Sequence, residues 1–288
     1  MNLRRSWKFS DGVLLVGLAA LAVFAARDIW QNIFTVGFGD EEQSHILIAP
    51  VVVVWLAWLR RDRLRLTPRA PSIWGPLVIA GGYGLSVYGF SDGLDLFWHS
   101  GAILMLVGAV LTVTGPRVLW KFLPAVVALA FLLPIPGRLR RPIANTLQDA
   151  SAQATEFLLD IFAVPVARSG NLLTINGYDV AVAEACNGMR MVAALALVSF
   201  AFVFSVPMRT SVRILILLIS PLIALIVNVI RLIPTVLMYG YSTEDRAQLF
   251  HDISGWAMLV LAIGMLWSFL GLLRWLEVPI NPIPLSKA

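Results

Sequence analysis

Three short blocks carry side chains able to act on a polar bond. The first is Glu184-Ala185-Cys186-Asn187-Gly188-Met189-Arg190, which holds the chain's one cysteine. It stands where a β-prone run gives way to an apolar helical run. A thiol at a helix N-terminus meets the positive end of the helix dipole, which favours the thiolate. Arg190, about one turn further on, adds positive charge, and Glu184 opposes it if it points the same way. The second block is Asn228-Val229-Ile230-Arg231-Leu232-Ile233-Pro234, inside a long apolar run. A guanidinium in hydrocarbon costs at least about 2.5–3.5 kcal/mol on insertion scales, and such residues face a bundle interior or a wet cavity. Asn228 precedes Arg231 by three residues and shares its helical face, within reach of Arg231 or of a substrate. The third is His251-Asp252-Ile253-Ser254-Gly255-Trp256, in which His251 opens an apolar run and titrates near neutral pH. Thiol, guanidinium and imidazole are a nucleophile, a fixed cation and a proton carrier.

Each residue also has a plainer role. A lone cysteine in an apolar helix is often a small hydrophobe. Arg231 could snorkel to the membrane surface, although it lies about eight residues, roughly 12 Å, from its expected helix end. His251 could cap a helix start, and His45 and His99 could be interfacial. What weighs against these roles is the arrangement of the elements that carry the residues.

The chain has 288 residues, 59% hydrophobic and 14% charged, with a mean hydropathy of +0.82. A soluble domain carries about 25% charge. Too little polar surface remains to cover a water-facing globule, and disorder is excluded for the same reason. The fold class is an all-α polytopic membrane protein with about eight transmembrane helices. Runs long enough to span lie at roughly 11–30, 44–60, 72–90, 96–114, 118–136, 187–206, 212–239 and 254–275. The N-terminus has the layout of a signal peptide, but with seven further spans behind it an uncleaved first helix is expected. No internal repeat is visible.

With the N-terminus inside, the inner segments hold 14 of the 22 Lys+Arg and three of the 17 Asp+Glu. The formal charge of +5 thus divides into +11 inside and −6 outside. This is the positive-inside pattern of a cytoplasmic-membrane protein, and no evidence for a nucleic-acid partner. Because spans alternate direction, the sixth begins outside, the seventh ends outside and the eighth begins outside. Cys186, Arg231, His251 and His45 therefore converge on the extracytoplasmic side.

The chain reads as one integral membrane domain, 1–288, with an extracytoplasmic insertion at about 137–186 before the sixth span. Within it Arg138 to Phe162 predicts an amphipathic helix lying on the outer membrane surface. Its apolar face would be Ile143, Leu147, Ala150, Ala154, Phe157, Leu158 and Ile161. Asn176-Gly177 between two β-prone runs predicts a β-hairpin that leads to Cys186.

The three blocks together resemble, in order, the signatures of the exosortase/archaeosortase family. Phe131-Leu132-Leu133-Pro134-Ile135-Pro136, the segment from Pro165 to Thr174, and Ser44-His45 extend the resemblance to about residues 44–275. Ile46 stands where the family often has glycine, and Asn187 where it often has serine. The resemblance implies a membrane-embedded cysteine protease/transpeptidase that cleaves C-terminal sorting tails of PEP-CTERM type from exported proteins. It implies Cys186, Arg231 and His251 as catalytic, and no metal or other cofactor. Its partners would be the bilayer and exported proteins ending in a motif, a transmembrane helix and a basic tail. Asn228, Glu184, Arg190 and His45 are candidates for substrate binding. Arg138, Arg140, Arg141 and Arg168 could read an acidic motif or face lipid headgroups. A transporter or a non-catalytic export or polysaccharide assembly factor remains the alternative, although a transporter would more naturally show inverted repeats.

Overall fold

The computed structural model describes residues 7–65, 67, 68, 70–182 and 188–276. The chain divides into two compact units, Met1–Pro136 and Gly137–Ala288.

In the first unit, the expected opening span is broken. Helix α1 (Phe9–Ala25) ends at Ala26, and α2 (Arg27–Gly39) leaves at 76° to it. The polar sequence Arg27-Asp28 sits at the bend, with Asp28 placed to meet the start of the α2 dipole. Helix α3 (His45–Leu59) follows a 3-10 turn, and a single turn, α4, covers Asp62–Arg65.

Helices α5 (Trp74–Ser91) and α6 (Asp95–Thr114) form a tight hairpin whose contact line is glycine at a seven-residue period. Gly82 on α5 meets Gly101, Gly75 meets Gly108 and Thr112, and Gly89 meets the backbone of Phe97 and Trp98 at the start of α6. A Cβ on Gly82 would lie 2.8 Å from the Gly101 carbonyl oxygen, and one on Gly108 2.8 Å from that of Gly75. A Cβ on Gly101 would collide with the Gly82 carbonyl and the Ser86 hydroxyl, which itself bonds the Trp98 carbonyl at 3.0 Å. In lipid, where apolar side chains gain nothing by leaving the solvent, such backbone approach is what holds helices together. Gly101→Leu is therefore expected to destabilise the protein by more than about 3 kcal/mol, beyond ordinary overpacking. Gly84→Leu, with open space at its Cβ, is expected to be close to neutral. Thermal unfolding in detergent, comparing both variants with wild type, checks the contrast.

The expected span at 118–136 is not one helix. It is α7 (Pro116–Lys121), α8 (Leu123–Ala128) and a 3-10 turn, Leu129–Leu132. Pro116 and Pro124 start the two helices, since proline suits a first turn but removes an interior N–H donor.

The second unit opens with α9 (Gly137–Ile161), the helix expected over Arg138 to Phe162. Its buried side chains are Ala144, Gln148, Ser151, Ala152, Thr155 and Leu159, while Ile143, Phe157 and Ile161 are exposed. Small and polar residues pack inward, and large apolar ones turn outward as in a membrane bundle. Three antiparallel strands follow: β1 (Ala167–Ser169), β2 (Leu172–Ile175) and β3 (Tyr178–Ala181). The expected hairpin is present, with Asn176 at φ 49° and Gly177 at φ 80° between the paired Ile175 and Tyr178. Positive φ at both central residues is the type I′ turn that Asn-Gly favours. The first strand is an addition. Arg168 on β1 bonds Glu156 at 2.8 Å and Asp149 at 2.9 Å, tying the sheet to α9.

Three long helices complete the unit: α10 (Gly188–Ser205), α11 (Thr210–Tyr241) and α12 (Glu244–Trp275). Helix α12 begins ten residues before the expected eighth span. Hydropathy misses the polar start Glu244-Asp245-Arg246, although acids in a first turn suit the helix dipole. The sheet docks on the end of α11, where Asn176 Nδ2 donates to the Gly240 carbonyl at 3.1 Å and Ile175 occupies the space a Cβ on Gly240 would need.

Among the described residues, three helices are long and apolar enough to cross a membrane, or five if each of two bent pairs is one span. The expected count was eight. Helix α5 is diluted by its glycines, and 118–136 is broken by prolines.

Candidate active site

Helix α11 joins two apolar clusters. Val212, Ile216, Ile223, Ala224 and Val227 pack with residues of α10 and α12. Leu232 and Val236 pack with Ala152 and Leu159 of α9 and with the sheet. Asn228 and Arg231 lie at the junction, 1% and 6% exposed. Both side chains are held. Arg231 Nε donates to Ser254 Oγ of α12 at 3.1 Å, and Asn228 Nδ2 donates to Ser151 Oγ of α9 at 3.1 Å. Thr235 Oγ1 donates to the Arg231 carbonyl at 2.8 Å, one turn along a helix that also contains Pro221 and Pro234. The guanidinium therefore points into the helix bundle and does not snorkel. Arg231 stands ten residues before the last residue of α11, about 15 Å along the axis.

Ser254 lies three residues after His251 on α12, so the Arg231–Ser254 bond brings the neighbourhood of the His251 backbone to α11. The helix is already under way at His251, seven residues after Glu244, so His251 does not open it. Its side chain lies outside what the structure describes. Cys186 and Glu184 also fall outside the described residues, and α10 starts at Gly188, two residues after Cys186 in sequence. Arg190, in the first turn of α10, is half-buried and close enough to Arg231 for the two cations to repel. Two fixed positive charges in one layer make it a place suited to negative charge.

His45 belongs to the first unit. It is buried, two residues after Gln43, whose Oε1 accepts from the Ile135 N–H at 2.7 Å. His99, also in the first unit, is 2% exposed and pairs through Nε2 with Asn32 Oδ1 at 2.9 Å, which fits a structural role. Arg168 is engaged by Glu156 and Asp149, and its hydrogen bond to Glu156 raises its pKa further above the ordinary value. Arg138, Arg140 and Arg141 stand together at the start of α9.

The chain matches the family model described as transmembrane exosortase (Exosortase_EpsH) over residues 30–268. It belongs to the transmembrane exosortase family. All three chemical blocks fall within the matched stretch. Neither a curated protein nor a solved structure shows significant similarity to it. As an exosortase it is a multi-pass membrane protein with a place in protein sorting.

The sequence reading passed over Ser151, Thr155 and Ser254 as functional residues. Ser254 stood in the third block without a role. Ser151 and Thr155 carried a signal in their four-residue spacing, which puts two hydroxyls on one face of α9.

Proposed function

We propose that this exosortase is a cysteine protease/transpeptidase that removes C-terminal sorting tails at the extracytoplasmic face of the cytoplasmic membrane. The observation that carries the reading is the buried Arg231 guanidinium, fixed by Ser254 one turn from His251 and close to the Arg190 that follows Cys186. A buried cation with no catalytic purpose would be an expensive ornament.

In this reading the substrate's tail helix docks beside the bundle with its motif, of Pro-Glu-Pro type, at the outer surface. The Cys186 thiolate attacks the scissile carbonyl carbon, and Arg231 stabilises the oxyanion. His251 gives a proton to the departing amine as the C–N bond breaks, leaving a thioester on Cys186. Water or an acceptor amine then attacks the thioester, loses its proton to His251 and expels the Cys186 thiolate, which restores the starting state.

The chain has one cysteine, so an intermediate can be sought at a single site. Incubation with a tagged substrate followed by acid quench is expected to leave the tagged polypeptide on the cysteine-bearing peptide, released by hydroxylamine. A lipid acyl group there in place of a polypeptide would refute tail cleavage and point to an acyltransferase.

A further inference from the structure

The Asn228 side chain is used on one edge only. Its Nδ2 donates to Ser151 Oγ, while its Oδ1 is buried and has no hydrogen-bond partner among the described residues. Thr155, one turn beyond Ser151 on the same face of α9 and 0% exposed, has its Oγ1 in the same state. Native proteins satisfy nearly all buried polar atoms, and a bare buried acceptor costs about 1–3 kcal/mol. Here the bare carbonyl is held in place by a hydroxyl that is itself fully buried, at the junction of two apolar clusters. The acceptor is built, and no donor for it stands among the described residues.

Geometry and chemistry narrow what that donor is. Asn228 and Arg231 are three residues apart on α11, about 4.5 Å along its axis. An extended peptide advances about 3.3 Å per residue, so a strand running along this face offers its carbonyls and N–H groups at a matching scale. Arg231 supplies donors and Asn228 Oδ1 supplies an acceptor. The first four N–H groups of any helix lack intrahelical partners, and in lipid each must find one elsewhere. A substrate whose extended motif runs into a transmembrane helix carries such N–H groups at the junction.

We propose that Asn228 Oδ1 accepts a main-chain N–H from the substrate at the junction between its motif and its tail helix, and that Ser151 positions Asn228 for this. The proposal rests on the tail-processing reading above. Asn228 is then a substrate-binding residue. Ser151 acts through it, by taking the Nδ2 edge and leaving the Oδ1 edge toward the substrate.

The test uses the full-length Cys186→Ala protein in nanodiscs, which binds without cleaving. The probes are synthetic peptides with a Pro-Glu-Pro motif, an apolar helix of transmembrane length and a basic end. In each, one amide at the junction is replaced by an ester, which deletes a single N–H. One ester is expected to weaken binding about tenfold relative to the all-amide peptide. The same ester is expected to have no effect when Asn228→Leu is added. Ser151→Ala is expected to reproduce most of the loss and Ser151→Thr to restore binding, which separates positioning from general damage to the fold. If the esters weaken binding equally with and without Asn228, or not at all, the proposal is overturned. Wild-type cleavage of the all-amide peptide is scored in parallel. Failure of that cleavage, with the Asn228-dependent ester effect intact, would refute the protease reading and leave the acceptor standing.

Discussion

Alanine in place of Cys186 is expected to abolish tail processing, with a rate at least about 10⁴-fold below wild type. In the proposed mechanism the thiolate forms the bond on which every later step depends. The chain has one cysteine, so no second thiol can substitute. The hydroxyls of Ser254 and Ser151 are already engaged as acceptors for Arg231 and Asn228. A serine hydroxyl also lacks the thiol's accessible ionisation, so Cys186→Ser is expected to be nearly as inactive as alanine. The measurement is the loss of the substrate's tail, read as a mobility shift on immunoblots of membranes at matched expression. Processing by Cys186→Ala at more than a tenth of the wild-type rate would remove the thiol from the mechanism. A fast thiol-reactive probe adds a second reading. It is expected to label the wild type quickly near neutral pH and Cys186→Ala not at all, because the start of α10, two residues on in sequence, and Arg190 in its first turn would favour a thiolate.

Features set by local chemistry were legible in the sequence. The Asn176-Gly177 turn is one, because positive φ at two successive residues leaves few alternatives. Arg231 is another, since the cost of a guanidinium in an apolar run forces it inward. Features that depend on the medium or on a partner surface were not. The polar face of α9, with Gln148, packs against protein, which a pattern of apolar and polar residues does not reveal. Against lipid, Ile143 and Phe157 turn outward, and Ser151 and Thr155 turn in to meet α11. The glycine spacing 75, 82, 89 and 101, 108 was in plain view, but a seven-residue period acquires meaning only when two helices share it. Prolines divided 118–136 because first-turn positions accept Pro116 and Pro124 while an uninterrupted helix would not. The resemblance led to the same three blocks as the residue chemistry, and the structure adds what holds Asn228 and Arg231 in place.

Arg231→Met is expected to separate stability from activity, with opposite or near-zero change in the first and a large loss in the second. Wild type keeps a guanidinium at 6% exposure, bonded to Ser254 and repelled by Arg190. Removing it deletes a desolvated charge and a like-charge repulsion, and costs its buried hydrogen bonds, the one to Ser254 among them, and some packing. Replacing buried ionic groups by apolar ones of similar volume is often neutral or stabilising. The melting temperature in detergent is therefore expected to stay at the wild-type value or rise. Activity goes the other way. If Arg231 meets the oxyanion, its contribution is made in the transition state, so kcat is expected to fall about 10²–10³-fold with little change in KM. Arg231→Lys retains a charge but loses the planar fork and the Nε that Ser254 holds, so it is expected to recover only part of the loss. Single-turnover rates with saturating peptide, set beside melting curves of the same preparations, read both quantities. A rise in KM with kcat unchanged would move Arg231 from the oxyanion to ground-state binding. A rate within threefold of wild type for Arg231→Met would take it out of the reaction, and with it the observation on which the protease reading most depends.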